Sequence, residues 1–112
     1  VLLSYAQGLD FVIAFLGCLY AGVIAVPAYP LRNNHHSKRF MLMIDDCQPS
    51  LICGTRESLK FMQQKEEFLK FNYVYTDEII NQNSSYTSPI ITSDTLALFQ
   101  YSSGSTGSPK GV

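Results

Sequence analysis

The stretch "GLDFVIAFLGCLYAGVIAVPAYPLR", Gly8–Arg32, decides how this chain folds. From Phe11 to Leu31 it carries no charged side chain, and that length is sufficient to cross a bilayer. Gly17, Gly22, Pro27 and Pro30 interrupt it and divide it into two elements. Asp10 stands where a carboxylate favours a helix N-terminus, and Gly22 where a helix stops. Beyond Gly22, "VIAVPAY" reads as a strand; it is apolar without alternation, which suits a parallel sheet buried on both faces. A helix packed against a sheet therefore accounts for the run without lipid. In that helix Val12, Phe15, Leu16 and Leu19 are expected to form one broad face, with the small residues Ala14, Gly17, Cys18 and Ala21 on the other. A helix apolar on all sides must be covered on all sides.

The flanking sequence repeats the alternation. "VLLSYA" before the quoted run is a short apolar strand, and the polar link "PLRNNHH" leads to a helix over Ser37–Cys47 with Phe40, Ile44 and Cys47 on one face. Asp45 and Asp46 fall near the C-terminus of that helix, where the dipole disfavours them, and no neighbour in sequence explains the pair. "SLICG" is a third strand. Thr55 is placed to cap a helix running to about Phe71, with Lys60, Gln63, Gln64 and Glu67 as its polar stripe and Leu59, Met62 and Leu69 inward. "NYVYT" is a fourth strand, and the aromatic run "FLKFNYVY" reads as core. Asp77–Asp94 is a long polar connection, after which "TLALFQY" is a last strand. The expected fold class is α/β, a mainly parallel sheet flanked by helices.

Composition narrows the functional classes. The 112 residues suffice for about one small domain, and 46% hydrophobic against 15% charged residues excludes global disorder. A net charge of −1 provides no electrostatic footprint for nucleic acid or for an anionic membrane. Val1 already lies inside an apolar run and Val112 follows a loop, so the sequence is expected to be a fragment that continues at both ends. Cys18, Cys47 and Cys53 match no zinc spacing and have no nearby base to make them nucleophiles. They read as buried free thiols in a reducing compartment, and the expected location is cytoplasmic. His35 and His36, with Arg32, Lys38 and Arg39, form a solvated basic corner. Adjacent histidines point in different directions, so a metal is not expected there; an acidic carrier-protein surface is the functional alternative. The pairs Asp45–Asp46 and Glu66–Glu67 read as solvent-facing.

The chemistry is concentrated in "YSSGSTGSPKGV", Tyr101–Val112. Gly104, Gly107 and Gly111 allow close approach of backbone to a ligand. Ser102, Ser103, Ser105, Thr106 and Ser108 supply hydroxyls, and Lys110 a compact positive charge. Amides, hydroxyls and one cation in a loop that follows a strand describe a polyphosphate clamp. The Walker loop does not fit, because Lys110 is preceded by Pro109 and followed by Gly111. A flexible Gly/Ser linker is the plainer reading of such composition. The ordered ending "SPKGV" set against the strand "LALFQY" favours the clamp.

"YSSGSTGSPKGV" resembles the signature loop of the adenylate-forming enzymes, which include acyl-CoA synthetases, peptide-synthetase adenylation domains and fatty acyl-AMP ligases. Ser102 stands where a Thr is common, so a hydroxyl is kept. The run "GLDFVIAFLGCLYAGVIAVPAYPLR" is similar to the fatty acyl-AMP ligase branch. The resemblance implies that residues 1–112 are part of an N-terminal AMP-binding domain, a partial subdomain of such an enzyme. It implies activation of a fatty acid by ATP to an acyl-adenylate and pyrophosphate, then transfer to the thiol of an acyl carrier protein or of a polyketide or peptide synthase. By position, Ser102, Ser103, Ser105, Thr106 and Lys110 would contact the β and γ phosphates, while Gly104 and Gly107 let the loop close. The magnesium-binding glutamate, the adenine pocket and the catalytic lysine are expected further along the chain, so this stretch is expected to be inactive alone and to fold poorly alone. The alternatives are a coenzyme A ligase or amino-acid adenylation domain of the same superfamily and, more remotely, a non-catalytic phosphate-binding module.

Overall fold

The computed structural model describes residues 1–79, 85–102 and 108–112. Among these, β1 (Leu2–Ser4), β2 (Val26–Ala28), β3 (Ile52–Gly54) and β4 (Tyr73–Tyr75) form an all-parallel sheet in the order β2-β1-β3-β4. Helices α1 (Leu9–Ala21), α2 (Ser37–Cys47) and α3 (Arg56–Gln63) join successive strands. The α/β expectation is met.

Strand order dictates where the helices lie. The chain steps from β1 to one neighbour, β2, then back across β1 to β3 and onward to β4. Right-handed crossovers place helices on opposite faces when the direction of stepping reverses. Accordingly α1 alone covers one face, while α2 and α3 share the other. Residues of the strands alternate between them. Leu2, Val26 and Ile52 pack with Phe40, Met43, Ile44, Leu59, Met62 and Phe68 on the α2–α3 side. Leu3, Tyr5 and Cys53 pack with Phe11, Ala14, Phe15 and Cys18 on the α1 side.

Local chemistry sets the helix ends. At Thr55 the side chain accepts the Ser58 amide while Ser58 Oγ accepts the Thr55 amide, so two end groups of α3 are satisfied reciprocally. Gly22 ends α1 in the left-handed region, with its N–H on Cys18 and Leu19 carbonyls. A Cβ at that position would also lie 2.7 Å from Pro89 Cγ.

Four expectations need correction. First, the contact stripe of α1 is Phe11, Ala14, Phe15 and Cys18, whereas Val12 and Leu16 face outward. Small Ala14 and Cys18 bring the helix close to the sheet, and the two phenylalanine rings, 6.0 Å apart, flank that approach. Second, β2 is shorter than "VIAVPAY", because Val23 and Ile24 are exposed coil and Ala25 makes only an isolated bridge to Leu98. Third, α3 stops at Gln63 rather than near Phe71, and a 3₁₀ turn over Glu66–Phe68 follows. That turn drives Phe68 fully into the core, edge-to-face with Phe40, and leaves Leu69, expected inward, 61% exposed. Fourth, "TLALFQY" is not a continuous strand: Leu96 and Leu98 are exposed, and regular pairing begins only at Tyr101.

Phe71, Tyr73 and Tyr75 are half-buried against the α2–α3 core, as read from "FLKFNYVY". Cys18, Cys47 and Cys53 are free thiols, Cys18 and Cys53 buried and Cys47 half-buried. Burial pushes all three thiols above their ordinary range, which leaves them protonated and unreactive at neutral pH. Arg32, His35, His36, Lys38 and Arg39 are exposed, as are Asp45, Asp46, Glu66 and Glu67. Among the described residues no helix is long and apolar enough to cross a membrane.

Candidate functional site at the carboxyl edge of the sheet

The chain reaches the carboxyl edge through one backbone junction. Ala25 N–H donates to Ala97 O at 3.0 Å and Phe99 N–H to Ala25 O at 2.9 Å. This bridge is parallel, so the residues after Phe99 leave the sheet at the edge where β1, β2 and β3 also end. Ligands of open parallel sheets bind outside that edge, where the strand order reverses.

There Tyr101–Ser102 (β5) pairs antiparallel with Lys110–Gly111 (β6), Tyr101 opposite Gly111 and Ser102 opposite Lys110. Reciprocal bonds between Gln100 and Val112, at 2.9 and 2.7 Å, extend the ribbon. Opposed residues of an antiparallel pair project to the same side. Ser102 and Lys110 thus share one face, and Tyr101 occupies the other. Gly111 is required by packing: a Cβ there would overlap the Phe99 ring. Phe99 and Tyr101 meet edge-to-face at 5.4 Å between ring centres, and both pack on the α2–α3 core.

Two of the residues read from the sequence, Ser102 and Lys110, are brought together by this ribbon. Both are exposed, and the Ser102 hydroxyl reaches the Lys110 carbonyl only at 3.5 Å, so it is little engaged. Ser103, Gly104, Ser105, Thr106 and Gly107 lie outside the described residues.

Beside the ribbon is a cleft of about 350 Å³ between Tyr101, Pro27, Tyr29 and Phe11. A larger one of about 610 Å³ opens at the ends of β1 and β3, between Gly8, Arg32, Thr55 and Phe61. The larger cleft is farther from the ribbon, but Tyr5, Ala6 and Gln7 line both. Size alone therefore does not select the site. Tyr5 is held in this wall by a 2.9 Å bond with Thr76 Oγ1, and burial pushes its phenol up to about 12. The amino end of α3 nearby is already occupied from within, since the Asp77 carboxylate accepts the Arg56 amide at 3.0 and 3.1 Å. Glu78 pairs with the Arg56 guanidinium at 2.6 and 2.5 Å, an exposed contact.

Asp46 is one of the two acidic residues, with Asp45, that reading along the chain left unexplained. Its Oδ2 accepts the Tyr101 hydroxyl across 55 positions. Partial burial, followed by this bond, raises the Tyr101 phenol above its ordinary value. The only signal in the sequence was the unfavourable place of Asp46 in the last turn of α2.

A parallel α/β sheet whose chain returns at its carboxyl edge in the Tyr101–Gly111 ribbon belongs to the class of open α/β folds. The family is shown by direct comparison. The model of the AMP-binding enzymes matches residues 1–112, and the chain belongs to that family of adenylate-forming ligases. It is 42% identical to the medium-chain-fatty-acid–[acyl-carrier-protein] ligase of Moorena producens, over 99% of this chain and 20% of that protein. Identity to the long-chain-fatty-acid–AMP ligase of Mycobacterium marinum is 35%, over 95% of this chain and 18% of that protein. The crystal structure of the fatty acyl-adenylate ligase from L. pneumophila, in complex with acyl adenylate and pyrophosphate, superposes with a TM-score of 0.86 at 38% identity. That superposition covers 99% of this chain and 19% of the other. The chain thus spans about a fifth of the length of the curated relatives it matches.

Proposed function

We propose that these residues are the amino-terminal part of the AMP-binding domain of a fatty acid-activating ligase, and that the turn after Tyr101 grips the β and γ phosphates of ATP. In the first step a fatty acid carboxylate oxygen attacks the α phosphorus. The bond to the bridging oxygen of the β phosphate breaks and pyrophosphate leaves. In the second step a thiol sulfur attacks the acyl carbon, and AMP departs with the oxygen of the broken C–O bond. Negative charge builds on the leaving pyrophosphate, and donors already aimed at it lower the barrier. Ser102 and Lys110 supply a hydroxyl and a cation from one face of the ribbon, and Ser103, Ser105 and Thr106 complete the set. Gly104 and Gly107 give the turn its close approach. Magnesium, supplied with ATP, would neutralise phosphate charge.

The observation that carries this reading is the pairing of Ser102 with Lys110 at the carboxyl edge. The acceptor we favour is a carrier-protein thiol, since the chain is 42% identical to a carrier-protein ligase. The three free thiols, Cys18, Cys47 and Cys53, support a cytoplasmic location within this reading.

The test is Lys110→Ala in the full-length enzyme, read by fatty acid-dependent ATP–pyrophosphate exchange. Loss of one such donor costs about 3 kcal/mol, so exchange should fall at least about tenfold. Unchanged exchange would refute the phosphate grip. Trapping the acyl product on holo carrier protein rather than on coenzyme A tests the acceptor.

A further inference from the structure

We infer that Asp46 is a positioning residue for adenylation: by holding the Tyr101 hydroxyl it sets the pitch of the ribbon that presents Ser102 and Lys110. This rests on the phosphate-grip reading above and deepens it.

The contact joins α2 to a ribbon whose Phe99 and Tyr101 rings also pack on the α2–α3 core. Asp46 belongs to the last turn of α2, a helix anchored in the core by Phe40, Met43 and Ile44. Tyr101 immediately precedes Ser102 at the start of the ribbon. A carboxylate in the last turn opposes the helix dipole, so it is misplaced for helix stability alone. Its Oδ2 is instead spent on the phenol of Tyr101, and bonds of a hydroxyl to a carboxylate are among the stronger ones.

From Tyr101 the constraint passes outward through backbone pairing. Tyr101 is opposite Gly111, and Ser102 is opposite Lys110. Phe99 closes the same end, with its ring against Tyr101 and over Gly111. The ribbon is short, two ladder pairs extended by the Gln100–Val112 bonds, and it is exposed at Ser102 and Lys110, so its own ladder holds it weakly. A slip of one position would send Ser102 and Lys110 to opposite faces. The Asp46–Tyr101 bond, made from the opposite face of the ribbon, resists both slip and roll. Asp46 touches no phosphate; it acts through Tyr101.

Asp46→Ala, Tyr101→Phe, Asp46→Asn and Asp46→Ala/Tyr101→Phe are compared in the full-length enzyme by ATP–pyrophosphate exchange, with Lys110→Ala as reference. Misplacement of reacting groups by about 1 Å can cost up to about a hundredfold, so a loosened ribbon is expected to lower kcat/KM for ATP about tenfold. The KM for fatty acid should stay within about twofold and the melting temperature nearly constant, since the bond is exposed. Asp46→Asn keeps an acceptor oxygen and should recover most of the loss. The double variant should be no worse than the poorer single one, as expected for partners of one contact.

Parent-like kcat/KM for ATP in Asp46→Ala, with Lys110→Ala impaired, removes the positioning role and leaves the phosphate grip standing. Parent-like behaviour in Lys110→Ala as well removes both. Multiplied effects in the double variant, or a parallel fall in all constants and in melting temperature without recovery in Asp46→Asn, overturn the inference in favour of a merely structural contact. Tyr101→Phe deletes one hydroxyl and keeps the question open to test should Asp46→Ala fail to fold.

Discussion

The two faces of the sheet are covered in different ways. On one, α2 and α3 bury Phe40, Ile44, Leu59 and Met62 and turn Lys38, Arg39, Lys60 and Gln64 to water. On the other, α1 buries a narrow stripe and exposes Leu9 at 72% and Tyr20 at 67%. An amphipathic helix names its buried side, because only one side gains by leaving water. A helix that is apolar all round does not. Its orientation is chosen by how closely it can approach, and here the small Ala14 and Cys18 decide it.

Substitutions on the two faces test that contrast. The largest effect is expected from Phe68→Ala, which empties the centre of the α2–α3 core; urea denaturation should show a loss of about 3–5 kcal/mol. A loss near 1 kcal/mol would mean that this face is no better packed than the other. Next is Gly22→Ala at the end of α1, where φ is 66° and Pro89 blocks the new methyl group. Left-handed strain alone costs about 1–2 kcal/mol, so a neutral result in the same assay would show that the α1 end is not held as described. Ile13→Lys on the outer, exposed side of α1 should change stability by no more than about 0.5 kcal/mol. A drop as large as that of Phe68→Ala would place Ile13 inside a core.

The smallest effect shows only at alkaline pH. Tyr5 on the α1 face and Tyr73 on the α2–α3 face both have phenols pushed up to about 12 by burial. The fold favours the protonated form, so this contribution to stability is complete below the unfolded value of 10.0 and is lost as pH rises through about 12. Tyrosinate absorbance followed in the folded chain should show both groups titrating late. Ionisation of either near pH 10 would mark its face as open to water.

The order of strands and helices was legible because its signals are local. Thr55 caps α3, Gly22 ends α1, and apolar runs without alternation announce strands that are buried on both sides. The end of α3 was not legible, since Phe68 and Leu69 are interchangeable in a periodic pattern until Phe40 offers one of them a partner. At the candidate site the turn's composition, its lysine and its failure to match the Walker loop were plain in the sequence. Its seating was not. Asp46 and Tyr101 are separated by 55 positions, and Phe99 excludes a side chain at Gly111 from across the ribbon.

By itself the amino-acid sequence determined the alternation of the four parallel strands with their helices, because hydrophobic run length, caps and glycine act within a few residues of themselves. The tertiary structure alone decided the strand order, the face that α1 turns inward and the tie from Asp46 to the ribbon. Those depend on crossover handedness and on contacts between distant residues, and no window along the chain contains them.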